Sequence, residues 1–223
     1  MNSENILQPK EIIYSRRRTI SLIINSNGEL IVRAPINCPL SKISKFINEK
    51  SNWIIKKKTY FLEHNIYNPL KFIDNEYIYL LGKKYEIKLT ESARIKVNDS
   101  TIELPKFDSK NKLIKFLSKT AKKYITKRAE YIASIFDFKY TSISITSAHT
   151  RWGSCSYKNK LNFTYKLIMC PAGVIDYIIV HELCHTIEKN HGKKFWNKVK
   201  SVLPNYKVDE KWLKDNRGII NVI

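Results

Sequence analysis

Glycine, proline, methionine and acidic side chains are all scarce in this chain of 223 residues. It holds 6 Gly, 7 Pro and 2 Met. Those counts exclude collagen-like and low-complexity architectures. The four cysteines, at 38, 155, 170 and 184, contain no CxxC pair. Their wide, irregular spacing argues against a zinc ribbon or a disulfide framework, so reduced thiols and a cytoplasmic setting are expected. Long hydrophobic runs are missing too. The most apolar short stretch, Val174 to Val180, is interrupted by Asp176 and falls far below the roughly 20 residues that cross a bilayer. The first ten residues have no apolar segment of the kind a secretory signal needs. No membrane association is expected.

The shortage of acids is the most informative one. Asp and Glu number 20 against 40 Lys and Arg, a formal charge of +20. Arg supplies only eight of the 40 basic residues, and an AT-rich coding bias accounts for much of the lysine. Such a bias does not favour Lys over Glu, so the surplus implies attraction to polyanions, nucleic acid and nucleotide phosphates included. Apolar residues make up 43% of the chain, enough to bury a core and to exclude whole-chain disorder.

Alternating apolar residues predict two strands over 12–34, joined by a turn at Asn25-Ser26-Asn27-Gly28. Ser41 reads as the N-cap of one helix running to about Glu63. Strands return over 76–104 as two hairpins, and the cluster from Pro105 to Asn111 reads as a linker. The expected division is therefore a β-rich region with one helix over 1–108, then a second domain over 109–223. That domain opens with a helix from about Ser109 to Ile135, whose polar face carries Lys115, Lys119, Lys122, Lys123, Lys127 and Arg128. Strands follow at Tyr140–Ser147 and Leu161–Met169. Pro171 opens a helix to about Lys189 as a first-turn proline. Helical segments at about 193–203 and 209–215 complete the chain.

His181-Glu182-Leu183-Cys184-His185 is an HExxH pentapeptide. Each helical residue turns about 100°, so His185 lies roughly 40° around from His181 and one turn along, with Glu182 about 100° around. Two imidazoles on such a face can hold one metal ion while the adjacent carboxylate addresses an open coordination position. Ile179, Val180, Leu183, Cys184 and Ile187 fall on the opposite, apolar side. Unpartnered imidazoles and a carboxylate in so apolar a helix would be expensive without a shared cation. His191, ten residues after His181 and followed by Gly192, is the candidate third ligand. Glu210 is a weaker alternative. The expected cofactor is one Zn²⁺ per chain, with Glu182 as general base toward an activated water. Cys184, Cys155 and Cys170 read as buried core residues rather than ligands or nucleophiles.

Thr150-Arg151-Trp152-Gly153-Ser154-Cys155-Ser156, Leu161-Asn162-Phe163, the segment from Val174 to His185, and Asn190-His191-Gly192 through Trp196 together resemble the YgjP-like (DUF45) metal-dependent hydrolases, which are related to the SprT-like metallopeptidases. Val32-Arg33-Ala34-Pro35, the Trp53-Ile54 helix and the Leu81-Gly82 hairpin extend the resemblance over nearly the whole chain. It implies an α+β, zincin-like domain with a small antiparallel sheet and an active-site helix, preceded by the β-rich N-terminal region. It implies metal ligation by His181, His185 and His191 and catalysis by Glu182. It also leaves two activities open, peptide hydrolysis and conversion of UTP to UMP and pyrophosphate. The metzincin pattern does not apply. That pattern needs Gly where this chain has Glu188, and a Met downstream of the third His, whereas Met1 and Met169 both lie upstream.

The segment before the active-site helix suggests a substrate surface. A strand edge beside that helix suits an extended peptide, Gly153 permits close approach, and Arg151 can clamp a carboxylate or phosphate, with Ser154 beside them. Trp152, Trp196 and His149 read as structural. Candidate partners are a peptide or a nucleoside triphosphate as substrate, and nucleic acid as a DNA-associated, SprT-like protein would bind it.

Overall fold

The computed structural model describes residues 7–24, 28–64 and 69–223. The chain forms two compact units, Met1–Ile66 and Tyr67–Ile223.

In the first unit, β1 (Glu11–Ser15), β2 (Ser21–Ile24) and β3 (Leu30–Pro35) form one sheet in the order β1-β3-β2. β2 runs antiparallel to β3 and β1 parallel to it. Three strands thus stand where two were expected, because the Arg16-Arg17-Arg18 run interrupts the first. The Arg17 N–H donates to the Ser15 carbonyl at 2.8 Å and turns the chain there. Residues 25–27 of the expected turn lie outside the described residues, while Gly28 has the positive φ of 74° that such a turn uses. The single helix expected from Ser41 is two helices, α1 (Leu40–Glu49) and α2 (Ser51–His64). They part at Lys50, whose backbone (φ −102°, ψ 11°) leaves the helical region. Pro39, in extended conformation, precedes α1 and places Ser41 inside its first turn. Leu30, Val32 and Ala34 of β3 bury against Ile43, Ile47 and Ile54.

The second unit begins with β4 (Tyr77–Leu80), β5 (Lys83–Thr90), β6 (Lys96–Val97) and β7 (Thr101–Pro105), in the order β4-β5-β7-β6. The β4–β5 hairpin turns through Leu81 and Gly82, both at positive φ. A β-carbon on Gly82 would meet the Cα of Pro171 at 2.9 Å. This sheet lies in the second unit with the long helix, not with the N-terminal strands as the division at 108/109 had it. The expected linker is too short to separate them. The Ser109 hydroxyl donates to the Pro105 carbonyl at 2.5 Å, so β7 feeds directly into α3 (Ser109–Phe136). Ile87, Ile102 and Leu104 then share one core with Leu113 and Leu117.

Along α3, Leu113, Leu117, Ala121, Ile125, Ala129 and Ile132 recur every three or four residues and are buried, the pattern of a helix laid against a core. A third sheet follows, β8 (Ser142–Thr146), β9 (Gly153–Cys155) and β10 (Lys160–Thr164), ordered β8-β10-β9. It is mixed rather than wholly antiparallel. β9 pairs antiparallel with β10 and β8 pairs parallel, because the chain crosses to the far edge before returning through the centre. The strand expected over Leu161–Met169 stops at Thr164, whose hydroxyl accepts the Lys166 N–H and starts a 3₁₀ turn over Tyr165–Met169. The helix after Pro171, α4 (Ala172–Cys184), is shorter than expected. It ends at His185, where the Thr186 hydroxyl takes the Leu183 carbonyl at 2.7 Å. α5 (Lys193–Val202), α6 (Tyr206–Asp215) and a 3₁₀ turn at Arg217–Asn221 complete the unit. α4 packs against α3, α5, α6 and β9, which is why it is apolar nearly all round. Among the described residues no helix is long and apolar enough to cross a membrane.

Candidate metal centre

His181 and His185 project from the last turn of α4, and His191 reaches them from the turn before α5. Their Nε2 atoms converge: 3.2 Å between His181 and His185, 3.0 Å between His185 and His191, and 3.0 Å between His191 and His181. The Nδ1 atom of His185 lies 2.9 Å from the Glu188 carbonyl. A carbonyl only accepts, so Nδ1 carries the proton and the Nε2 lone pair of His185 faces the cluster.

Packing holds the rings in place. Phe195, fully buried, lies beneath all three, with its centroid 4.9 Å from that of His181, 4.5 Å from His185 and 4.8 Å from His191. Trp196 stacks on His191, Tyr206 on Trp196 and Tyr177 on Tyr206, and Tyr177 meets His181 edge-on. This belt ties α4, α5 and α6 around the site. The sequence signal for it was present in the aromatic spacing of 195, 196 and 206, yet nothing local shows that these rings face the histidines. The turn carrying His191 is pinned separately. Lys189 donates to Asn159 Oδ1 at 2.5 Å and to the Ser156 carbonyl at 3.2 Å, fastening it to the β9–β10 connection.

Burial governs the electrostatics. It pushes His181 down to about 3, with the neighbouring imidazoles of His185 and His191 adding to the effect, and it lowers His185 as well. Both of these rings are then neutral near pH 7, as ligation requires. Three imidazole nitrogens at 3.0–3.2 Å, with the His185 proton directed elsewhere, cannot satisfy one another by hydrogen bonds alone. Their spacing approaches the roughly 3.3 Å edge of a tetrahedron with metal–nitrogen bonds of about 2.0–2.1 Å. The donor set therefore fits a divalent cation. Among the described residues this is the group of His, Cys, Asp and Glu side chains with that convergence.

Glu182 is buried, only 5% exposed. Burial raises its carboxyl to about 7, against the opposing pull of the Arg151 charge. It lines a cleft of about 280 Å³ with Arg151, Gly153, Tyr177, His181 and Glu210. Glu210, the alternative third ligand, pairs instead with Lys214 at 2.8 Å and stands outside the histidine cluster. Cys184 and Cys170 are buried, and Cys155 is half-buried. Cys184 lies outside the cluster too. His149 accepts a hydrogen bond from Lys166 at 2.9 Å, a structural placement. Ser154 points to the sheet face opposite Glu182, where its hydroxyl accepts from Asn162.

A histidine cup beside a buried carboxylate, in a mixed α+β unit with a zincin-like active-site helix, is the arrangement of a metal-dependent hydrolase. The chain belongs to the YgjP-like family, whose metallopeptidase-domain model matches residues 18–216. Two solved structures are similar to it. The zymogen of the Pyrococcus abyssi metallopeptidase abylysin is 18% identical, covering 42% of this chain and 95% of its own, with a TM-score of 0.38. The zymogen of Methanocaldococcus jannaschii jannalysin is 26% identical, covering 40% of this chain and 91% of its own, with a TM-score of 0.36. No curated protein matches the chain.

Proposed function

We propose that this protein is a zinc peptidase, with His181, His185 and His191 holding one Zn²⁺ per chain and Glu182 serving as general base. The observation that carries the proposal is the convergence of three Nε2 atoms within 3.2 Å beside a buried carboxylate in an open cleft. When bound, the zinc ion polarises the scissile carbonyl and acidifies water. Glu182 takes the proton from the attacking water as its oxygen bonds to the carbonyl carbon. The same carboxyl then passes the proton to the departing amine as the C–N bond breaks. β9 is an edge strand of its sheet, so an extended peptide can pair along it. Gly153 keeps the strand close to Glu182, and Arg151 and Ser154 contact the substrate on either side. The four free cysteines suit a reducing, cytoplasmic setting.

The same groups suit a nucleoside triphosphate, a reading favoured by the net charge of +20, and that charge also favours nucleic acid. The test separates all three. Zinc-loaded protein is incubated with a denatured protein and with UTP, with and without chelator, beside Glu182→Gln. Peptide fragments that vanish with chelator and with Glu182→Gln are expected. Pyrophosphate release without peptide cleavage overturns the peptidase reading in favour of the nucleotide one. Salt-dependent anisotropy with duplex DNA tests the third.

A further inference from the structure

A second cavity, of about 390 Å³, lies on the other side of Gly153 from the catalytic cleft. Thr146, Arg151, Gly153, Ser154, Asn162 and Thr164 line it, with Ala148 as its one apolar side chain. Arg151 and Gly153 belong to both cavities. The register explains the arrangement. Ser154 stands opposite Asn162, and Thr164 opposite Thr146, so these four polar side chains share the outer face of the sheet. Gly153 and Cys155, one residue out of phase with Ser154, face inward. Glu182 sits against that inner face, 2.7 Å from where a Gly153 β-carbon would be.

The donors that remain unspent in this cavity define what it can take. Thr164 donates to the Ala148 carbonyl at 2.9 Å, and Thr146 lies 3.4 Å from the Phe163 carbonyl. Both hydroxyl protons are therefore used. Asn162 gives one N–H to Ser154, which leaves its second N–H and the Ser154 O–H. The exposed Arg151 guanidinium forms none of the ion pairs seen among the described residues, and the lining residues include no acid. A cationic fork with two spare neutral donors, in a lining that holds no acid, matches a planar anion. A basic side chain would be repelled by Arg151, and a neutral one would leave the guanidinium without a partner.

We infer that this cavity is a subsite for a carboxylate side chain, Asp or Glu, one position away from the residue whose peptide bond is attacked. The inference rests on the peptidase reading and names its substrate class. A strand paired at the β9 edge directs alternate side chains to opposite sheet faces. When one residue presents its carbonyl at the Glu182 face, its neighbour enters the outer cavity beneath Arg151. The protein is then selective for acidic positions next to the cleaved bond.

Zinc-loaded protein is assayed on amidated peptides carrying Glu, Gln or Lys beside the cleaved bond, and on neutral peptides with a free C-terminus. The Glu peptide is expected to exceed the Gln peptide in kcat/KM by about 10- to 100-fold, the range of one charge-assisted hydrogen-bonded contact. Arg151→Gln is expected to collapse that ratio to near one, and Arg151→Glu to turn the preference toward Lys. Asn162→Ala is expected to shrink the ratio severalfold. Equal rates on Glu and Gln peptides, or a preference that survives Arg151→Gln, overturn the inference. A preference confined to free C-termini also overturns it, assigning the cavity to a terminal carboxylate. If no peptide is cleaved at all, the peptidase reading fails, and the subsite is decided by binding instead. Anisotropy of labelled Glu and Gln peptides on the Glu182→Gln protein then supports the carboxylate site if the Glu peptide binds tighter and Arg151→Gln removes the difference. Equal binding overturns it.

Discussion

Gly153 and Glu182 are in contact because residue 153 has no β-carbon. A methyl group there would stand 2.7 Å from Glu182 Cγ and 2.8 Å from its Oε1. Gly153→Ala is therefore expected to push the Glu182 carboxylate out of position. Displacement of a catalytic group by about 1 Å lowers turnover on the order of 100-fold. The histidines are untouched, so zinc content by atomic emission is expected to match the unaltered protein while kcat falls.

Removal of one imidazole acts on the metal instead. His191→Ala is expected to weaken zinc binding by more than the roughly 10- to 100-fold that loss of an outer partner causes. Chelator competition measures it. Because a metal bound only by the folded state stabilises that state, zinc is expected to raise the melting temperature of the native protein and to raise that of His191→Ala less. Trp196, stacked on His191, is expected to report metal binding through its fluorescence.

Arg128 on α3 holds Asp176 on α4 by two hydrogen bonds, Nε to Oδ1 at 2.7 Å and a terminal guanidinium nitrogen to Oδ2 at 2.8 Å. The pair ties the long helix to the active-site helix. Asp176→Ala is expected to lower the free energy of unfolding by about 1–2 kcal/mol, between the values for an exposed ion pair and a charge-assisted bond. Urea titration measures it.

Lys166 has a side chain with no exposed surface, and its ammonium donates to His149 Nδ1 and to the carbonyls of Ile220 and Ile223. Lys166→Met leaves these acceptors without a donor and is expected to cost about 1–3 kcal/mol, with faster amide exchange over 219–223. Burial lowers this ammonium from its ordinary 10.5 to about 8. Between those values the unfolded chain binds more protons than the folded one. The contribution of Lys166 to stability therefore rises with pH across that window and is lost as pH falls through about 8. Urea titrations at pH 8 and pH 10 are expected to show a larger gap between native protein and Lys166→Met at the higher pH.

The helical part of the candidate site was legible because helix geometry is local. His181, Glu182 and His185 stand where a 3.6-residue period puts them, and the buried stripe from Leu113 to Ile132 follows the same period. Element ends were less legible. The stop of β10 at Thr164 and of α4 at His185 each depends on a hydroxyl hydrogen bond, at Thr164 and at Thr186, that apolar patterning does not register. The grouping of the 76–104 strands with the long helix was hidden as well, because a cluster of Pro, Asp, Ser and Asn looks the same in a linker as in a tight strand-to-helix turn.

By itself, the order of residues determined that this chain carries two imidazoles and a carboxylate on one helix, with a third imidazole ten residues on, since the helical repeat alone sets those directions. Only the tertiary structure decided that the His191 ring turns inward, over Phe195 and against Trp196, because that orientation comes from α5 and α6 packing on α4. It also decided that Arg151 serves two cavities. That follows from the pairing of β9 with β10, which no single segment of the chain encodes.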